Sequence, residues 1–300
     1  MKVIGSSMIG SRSFLPTLGG MQCWADQLYF RGYRIQRHFS KDIHRLLTPA
    51  NHQIVAGSRE VCEASLNAIR METGLTADTG HAVIYLHGIG RTSRSMQPII
   101  RQMPTSGWVH IPFEYPSTRV SLASAAASLD SVIRSLEYVE RISFVVHSMG
   151  GLVVRQYLST SREERLGRLI MMGTPNHGAE MADLLRRNLF FRFILGPAGQ
   201  QLVTGSAGGI VDKLPVPRLP FGIIAGGRGD GRGFNPLIPG DDDGTVTVKS
   251  TQLDGASDFL IVKRLHMFLM TDPKVILAVR NFLEHGRFIA AEDAAPEVSS

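Results

Sequence analysis

From Phe144 to Arg155 the chain reads Phe-Val-Val-His-Ser-Met-Gly-Gly-Leu-Val-Val-Arg. An apolar β-type run breaks at one serine, two glycines follow, and an apolar helical pattern begins. That order predicts a strand, a sharp turn and a helix, with Ser148 at the tip of the turn. Such a turn holds a hydroxyl exposed in strained backbone, where a general base can reach it. The residue two after the serine must be small because strand and helix crowd there, and Gly150 meets that demand. Two before the serine, Val146 stands where Gly or Ala is usual, so the motif is an imperfect G-x-S-x-G. The plainer alternative is an ordinary strand-to-helix turn, in which Ser and Gly are common anyway.

The chain on either side repeats one pattern. Strands are predicted at His81–Leu86, Trp108–Phe113, Ile142–Val146, Leu166–Met172, Phe221–Ala225 and Asp258–Val262. Helices are predicted at Ser95–Met103 (with Pro98 in its first turn), Ser121–Val139, Gly150–Leu158 and Pro273–Glu284. In the second of these, Leu122, Ala126, Leu129, Ile133 and Leu136 recur at helical spacing. Strands and helices in alternation imply an α/β architecture, a mostly parallel central sheet with helices on both faces. Ligands in such sheets bind at the carboxyl ends of the strands, which is where Ser148 falls.

A serine hydroxyl is a poor nucleophile until a base takes its proton and an acid orients that base. Asp243 lies in Gly240-Asp241-Asp242-Asp243-Gly244-Thr245, after one predicted strand, and His266 lies in Arg264-Leu265-His266-Met267, after the last. The order Ser148, Asp243, His266 suits this topology. Asp230 follows its strand more closely and rivals Asp243. Asp241 and Asp242 read as solvated loop carboxylates, because adjacent acids do not match a calcium loop. His177 precedes the candidate acid, His285 falls late in the last helix, and His147 adjoins the serine and should point away from it. An oxyanion needs two aimed N–H donors. Met149 supplies one, and Ile89, in the loop Leu86-His87-Gly88-Ile89-Gly90, supplies the other.

Three hundred residues suit one large α/β domain with an extension, or two small domains. With only Cys23 and Cys62, a disulfide framework is not expected and a Cys-rich zinc site is excluded. The pattern calls for neither metal nor cofactor. The formal charge of +6 is concentrated early, at Arg31, Arg34, Arg37, Lys41 and Arg45. A solvated basic face is the favoured explanation, and peripheral contact with an anionic membrane is the sharper one. No aromatic-basic repeat or phosphate loop supports nucleic acid. The first twenty residues lack a compact apolar signal core, and a cytoplasmic protein is expected.

Residues 1–79 read as an N-terminal extension, partly helical, with a short helix around Trp24–Phe30 and a second at Ser58–Arg70. Strands at Tyr33–His38 and His44–Leu47 are a source of antiparallel edge strands. Residues 80–287 form the α/β domain. Within it, 179–220 is apolar on nearly every side and reads as a cap or lid, with a peripheral helix as the equal alternative. Residues 288–300 read as a disordered tail.

Taken together, these motifs resemble the α/β-hydrolase superfamily, in particular bacterial lipases and esterases with a His-Ser-Met-Gly-Gly nucleophile turn. Gly173-Thr174-Pro175-Asn176-His177-Gly178 is also similar to the GPI inositol-deacylase-like and lecithin–cholesterol acyltransferase-like branches. The resemblance covers roughly residues 80–287. It implies the α/β-hydrolase fold, Ser148 as nucleophile, His266 as base, Asp243 as orienting acid, and Ile89 with Met149 as oxyanion hole. The expected activity is ester hydrolysis through an acyl-enzyme, on an ester or lipid-like substrate. Acyl transfer, phospholipid-type deacylation and an inactive binding module of the same fold remain as alternatives.

Overall fold

The structure, a computed structural model, describes residues 21–177 and 210–288. Most of the expected cap (179–209) and nearly all of the expected tail (289–300) therefore lie outside the described residues.

Among the described residues, ten strands fall into two sheets. The larger consists of β5 (Gly80–Leu86), β6 (Trp108–Phe113), β7 (Val139–His147), β8 (Leu166–Met172), β9 (Phe221–Gly226) and β10 (Asp258–Val262). Its order is β10-β9-β8-β7-β5-β6, with every pairing parallel. Side-chain alternation assigns each strand to two cores at once. Ala82, Ile84, Leu86, Phe144, Val146, Leu169 and Met171 face α3 (Leu122–Arg134) and α4 (Met149–Leu158). Val83, Tyr85, Val145, Ile170 and Met172 face the opposite way, onto α2 (Gln97–Ile100) and the terminal helix α6 (Pro273–His285). A further short helix, α5, spans Val248–Thr251. Both faces of the sheet are covered, which explains why its strands are apolar runs without polar alternation.

After β5 the chain builds β6 on one side, then crosses to place β7 on the other. The loops that leave β5 and β7 therefore diverge and open a crevice between them at the carboxyl edge.

The second sheet is antiparallel, in the order β1 (Trp24–Phe30), β2 (Tyr33–His38), β3 (His44–Leu47), β4 (Gln53–Gly57). Helix α1 (Arg59–Thr73), N-capped by the Ser58 side chain, covers it through Cys62 and Leu66. This corrects two expectations. Trp24–Phe30 is a strand and not a helix, because it pairs along its length with β2. The early strands also form a sheet of their own, where edge strands of the large sheet were expected. Two helices are shorter than predicted. Residues 93–103 hold a 3-10 turn (Ser93–Met96) and then α2, whose first turn takes Pro98. Helix α3 stops at Arg134, where Ser135 Oγ accepts from Tyr29 N–H at 3.1 Å and donates to Val132 O at 2.6 Å. Val139 is thereby released to begin β7.

Candidate active site

Ser148 lies where β7 turns into α4, with φ 53° and ψ −124°. Positive φ costs a non-glycine residue about 1–3 kcal/mol, so its surroundings must impose it. Ser148 N–H donates to Met172 O at 2.9 Å, and Thr174 Oγ1 donates to Ser148 O at 3.1 Å. Gly150 is required by close approach: a Cβ there would stand 2.8 Å from Leu86 O. The bulk of Val146 is absorbed in the core shared with α3 and α4.

Helix α4 starts at Met149, so its first N–H groups have no intrahelical acceptor and its positive end adjoins Ser148. The loop after β5 reaches the same point. A Cβ on Gly88 would lie 3.0 Å from Ser148 Cβ and 2.8 Å from His147 Nδ1. Among the described residues, neither Ile89 N–H nor Met149 N–H donates to a protein acceptor.

The loops after β9 and β10 meet on the other side of the serine. His266 Nδ1 stands 2.7 Å from Asp243 Oδ2. The second carboxylate oxygen accepts from Thr245 N–H at 3.0 Å and Val246 N–H at 2.7 Å. His266 N–H donates to Asp243 O at 2.8 Å, so the backbones as well as the side chains are joined. Asp243 is buried and His266 is half-buried. A carboxylate only accepts, so Nδ1 carries the proton and Nε2 is left as a base. No hydrogen bond among the described residues joins Ser148 Oγ to His266; such contacts tighten in enzyme complexes and are often loose without substrate.

The other candidates fall elsewhere. Asp230 is exposed and pairs with Arg228 at 3.0 Å. His177 is exposed, and His285 is 60% exposed beside Glu284. Asp242 corrects an expectation: it is buried, not solvated, and accepts from Gly244 N–H at 2.6 Å and Asn235 N–H at 3.0 Å. Burial holds its pKa above the usual carboxylate value. Asp241 accepts from the N–H groups of Arg228 and Gly229 at 2.7 and 2.8 Å. The adjacent acids thus build the loop that presents Asp243. His147 does not point away from the site. Its ring packs 4.6 Å from that of His266, and its Nε2 donates to His266 O at 3.1 Å.

No local pattern in the chain announces the group that ties the segment Gly173–His177 to its surroundings. Asn176 Nδ2 donates to Thr251 O at 2.8 Å, and Asn176 accepts at its Oδ1 from Arg155 Nη1 at 3.2 Å. Arg155, buried at the heart of α4, also donates to Pro215 O at 3.1 Å and Leu214 O at 2.7 Å. It therefore anchors the end of the expected cap, whose residues 210–220 are described. Among the described residues no group of three or more His, Cys, Asp or Glu side chains could hold a metal ion, and no helix is long and apolar enough to cross a membrane.

Residues 78–203 match the family model described as the alpha/beta hydrolase fold. No curated protein matches the chain. Similar solved structures include an esterase from Exiguobacterium antarcticum, 16% identical, covering 69% of this chain and 93% of its own at a TM-score of 0.48. A bromoperoxidase from Bacillus anthracis is 17% identical, covering 68% and 92% at 0.48. An esterase from a Rhodococcus species is 15% identical, covering 69% and 91% at 0.46.

Proposed function

We propose that this chain, an α/β hydrolase by fold and by family model, is a serine hydrolase that cleaves carboxylic esters through an acyl-enzyme. The observation that carries the proposal is the 2.7 Å contact of His266 Nδ1 with buried Asp243, formed beside a serine at positive φ. In this reading Ser148 Oγ attacks the ester carbonyl while its proton passes to His266 Nε2. Asp243 holds the ring and offsets the positive charge it acquires. The carbonyl oxygen becomes an oxyanion and is met by the N–H groups of Ile89 and Met149, with the helix dipole of α4 behind them. His266 then protonates the leaving alcohol as the C–O bond breaks. A water molecule, deprotonated by His266, attacks the acyl-enzyme and releases the carboxylic acid. No cofactor takes part in these steps.

An apolar acyl group is the proposed substrate feature. Leu265, Met267 and Phe268 flank His266 and are 38%, 51% and 49% exposed. Such a rim favours an acyl chain over a charged one. The test is hydrolysis of p-nitrophenyl esters from short to long chains, with wild type beside Ser148→Ala. Activity lost in the variant, with a fluorophosphonate labelling Ser148 in wild type only, is the expected result. No turnover at any length together with no labelling overturns the proposal.

A further inference from the structure

The loop that carries Ile89 contains Gly88 and Gly90, and two glycines give it more conformational freedom than a preorganised donor can tolerate. Its order comes from outside the large sheet. Gly90 N–H donates to Ser117 Oγ at 3.0 Å. The Ser117 hydroxyl, fully buried, donates in turn to Gln22 Oε1 at 3.1 Å. Gln22 Nε2 donates back to Arg91 O, the carbonyl one residue past Gly90. The Gln22 carbonyl is itself fixed by Thr118 N–H and Thr118 Oγ1, each at 3.2 Å. One side chain from the N-terminal segment thus closes a ring of hydrogen bonds around the peptide that follows Ile89.

The same segment holds the loop from beneath. Asp26 on β1 and Glu114 at the end of β6 are interlocked: Asp26 N–H donates to Glu114 O at 2.9 Å and Glu114 N–H to Asp26 Oδ2 at 2.7 Å. The Glu114 carboxylate accepts from Ser93 N–H at 3.0 Å and Ser93 Oγ at 2.8 Å, and it lies 3.3 Å from His87 Nε2. Tyr115 hydroxyl donates to His87 O at 2.6 Å. Both ends of the loop, His87 and Ser93, are therefore pinned by residues that β1 fixes in place.

We propose that Gln22 is a positioning residue for the oxyanion donor Ile89, and that the N-terminal sheet completes the active site by holding this loop. The inference rests on the hydrolase reading, in which Ile89 N–H meets the oxyanion. A donor must sit where the oxyanion forms, and a displacement near 1 Å costs about a hundredfold in rate. Gln22 acts through hydrogen bonds alone, so its loss loosens the loop without removing the donor.

The test compares wild type, Ser148→Ala, Gln22→Ala, Ser117→Ala and Gln22→Ala/Ser117→Ala, all as full-length chains. Two readouts are used: short-chain p-nitrophenyl ester kinetics and amide hydrogen exchange of the peptide 87–93. Gln22→Ala and Ser117→Ala are each expected to lower kcat about tenfold to a hundredfold with KM nearly unchanged, while Ser148→Ala sets the inactive baseline. The double variant is expected to fall no further than the singles, since both break one ring. Exchange in 87–93 is expected to speed up in Gln22→Ala while β5 and the Asp243 loop keep wild-type protection. Should Gln22→Ala fail to fold, Ser117→Ala alone decides by the same measurements. An unchanged kcat, or additive losses, overturns the proposal. A wild type without Ser148-dependent turnover removes the hydrolase reading itself, and unchanged exchange at 87–93 overturns the role of Gln22 whether or not the protein is active.

Discussion

His147 Nε2 donates to the backbone carbonyl of His266 at 3.1 Å, and the two rings lie 4.6 Å apart at 46°. Because a carbonyl only accepts, the proton of His147 sits on Nε2, and its buried Nδ1 has no hydrogen-bond partner among the described residues. Burial first, and the nearby His266 second, hold the pKa of His147 well below its ordinary value. A neutral ring can lie against His266 without repelling the charge that His266 gains when it takes the serine proton.

Stability is therefore expected to depend on pH through His147. Its folded pKa lies below the unfolded value of about 6.5, so the unfolded chain binds the extra proton first. The contribution is full above that value and is lost as pH falls below it. His81, lowered to about 4 by burial, and His110 act in the same direction. Urea midpoints should drop from pH 7 to pH 5, with a flatter dependence in His147→Gln, whose amide can still donate to His266 O. An equally steep dependence in that variant would move the effect to the other histidines.

Asp243→Asn should lower kcat by roughly three to four orders of magnitude, because the amide favours the wrong imidazole tautomer. Asp230→Asn should be mild, since Asp230 is exposed and bonded only within its own turn. Steady-state kinetics of the two variants side by side distinguish them. A severe Asp230 effect with a mild Asp243 effect would reassign the acid.

Gly88→Ala should damage turnover more than stability. The added methyl would meet His147 Nδ1 at 2.8 Å and Ser148 Cβ at 3.0 Å. Contact at these distances forces the loop or the serine to shift by tenths of an ångström. A fall in kcat of about tenfold or more, with a thermal midpoint within a few degrees of wild type, is the expected pattern. Wild-type kinetics would mean the loop absorbs the methyl away from the serine.

Arg155→Met should be among the most destabilising single changes. The guanidinium serves the carbonyls of Asn176, Leu214 and Pro215 in a site from which water is excluded. Each buried acceptor left unpaired costs about 1–3 kcal/mol, so a loss of roughly 3 kcal/mol or more is expected from urea unfolding. A loss below about 1 kcal/mol would show that water replaces the side chain there.

The extent to which the fold was legible follows from the range of the interactions involved. Strands β6, β8 and β10 match their predicted bounds because a short apolar run between polar breaks encodes a strand within five to seven residues. The turn at Ser148 is equally local, since the run of strand, serine, glycines and helix lies within one stretch. Trp24–Phe30 reads as a helix in isolation, because its strand character comes from β2, a partner outside the window. Strand β4 carries no local signal for the same reason: its ladder with β3 decides it, and its own side chains are mostly exposed. Asp242 looked solvated among neighbouring acids, yet loop N–H groups enclose it.

The candidate site divides along the same line. The order of amino acids sets which residue types stand after which strands: Ser148, then two acids to choose between, then His266. Only the tertiary structure brought Asp243 to His266 across 23 positions while leaving Asp230 in solvent. It also placed Gln22 on Ser117, 95 positions away, and His147 on His266, 119 away. Periodicity and turn chemistry act between neighbours in the chain and can be read from it. A hydrogen bond between distant residues depends on how the sheets and loops pack, and no short window of sequence carries that information.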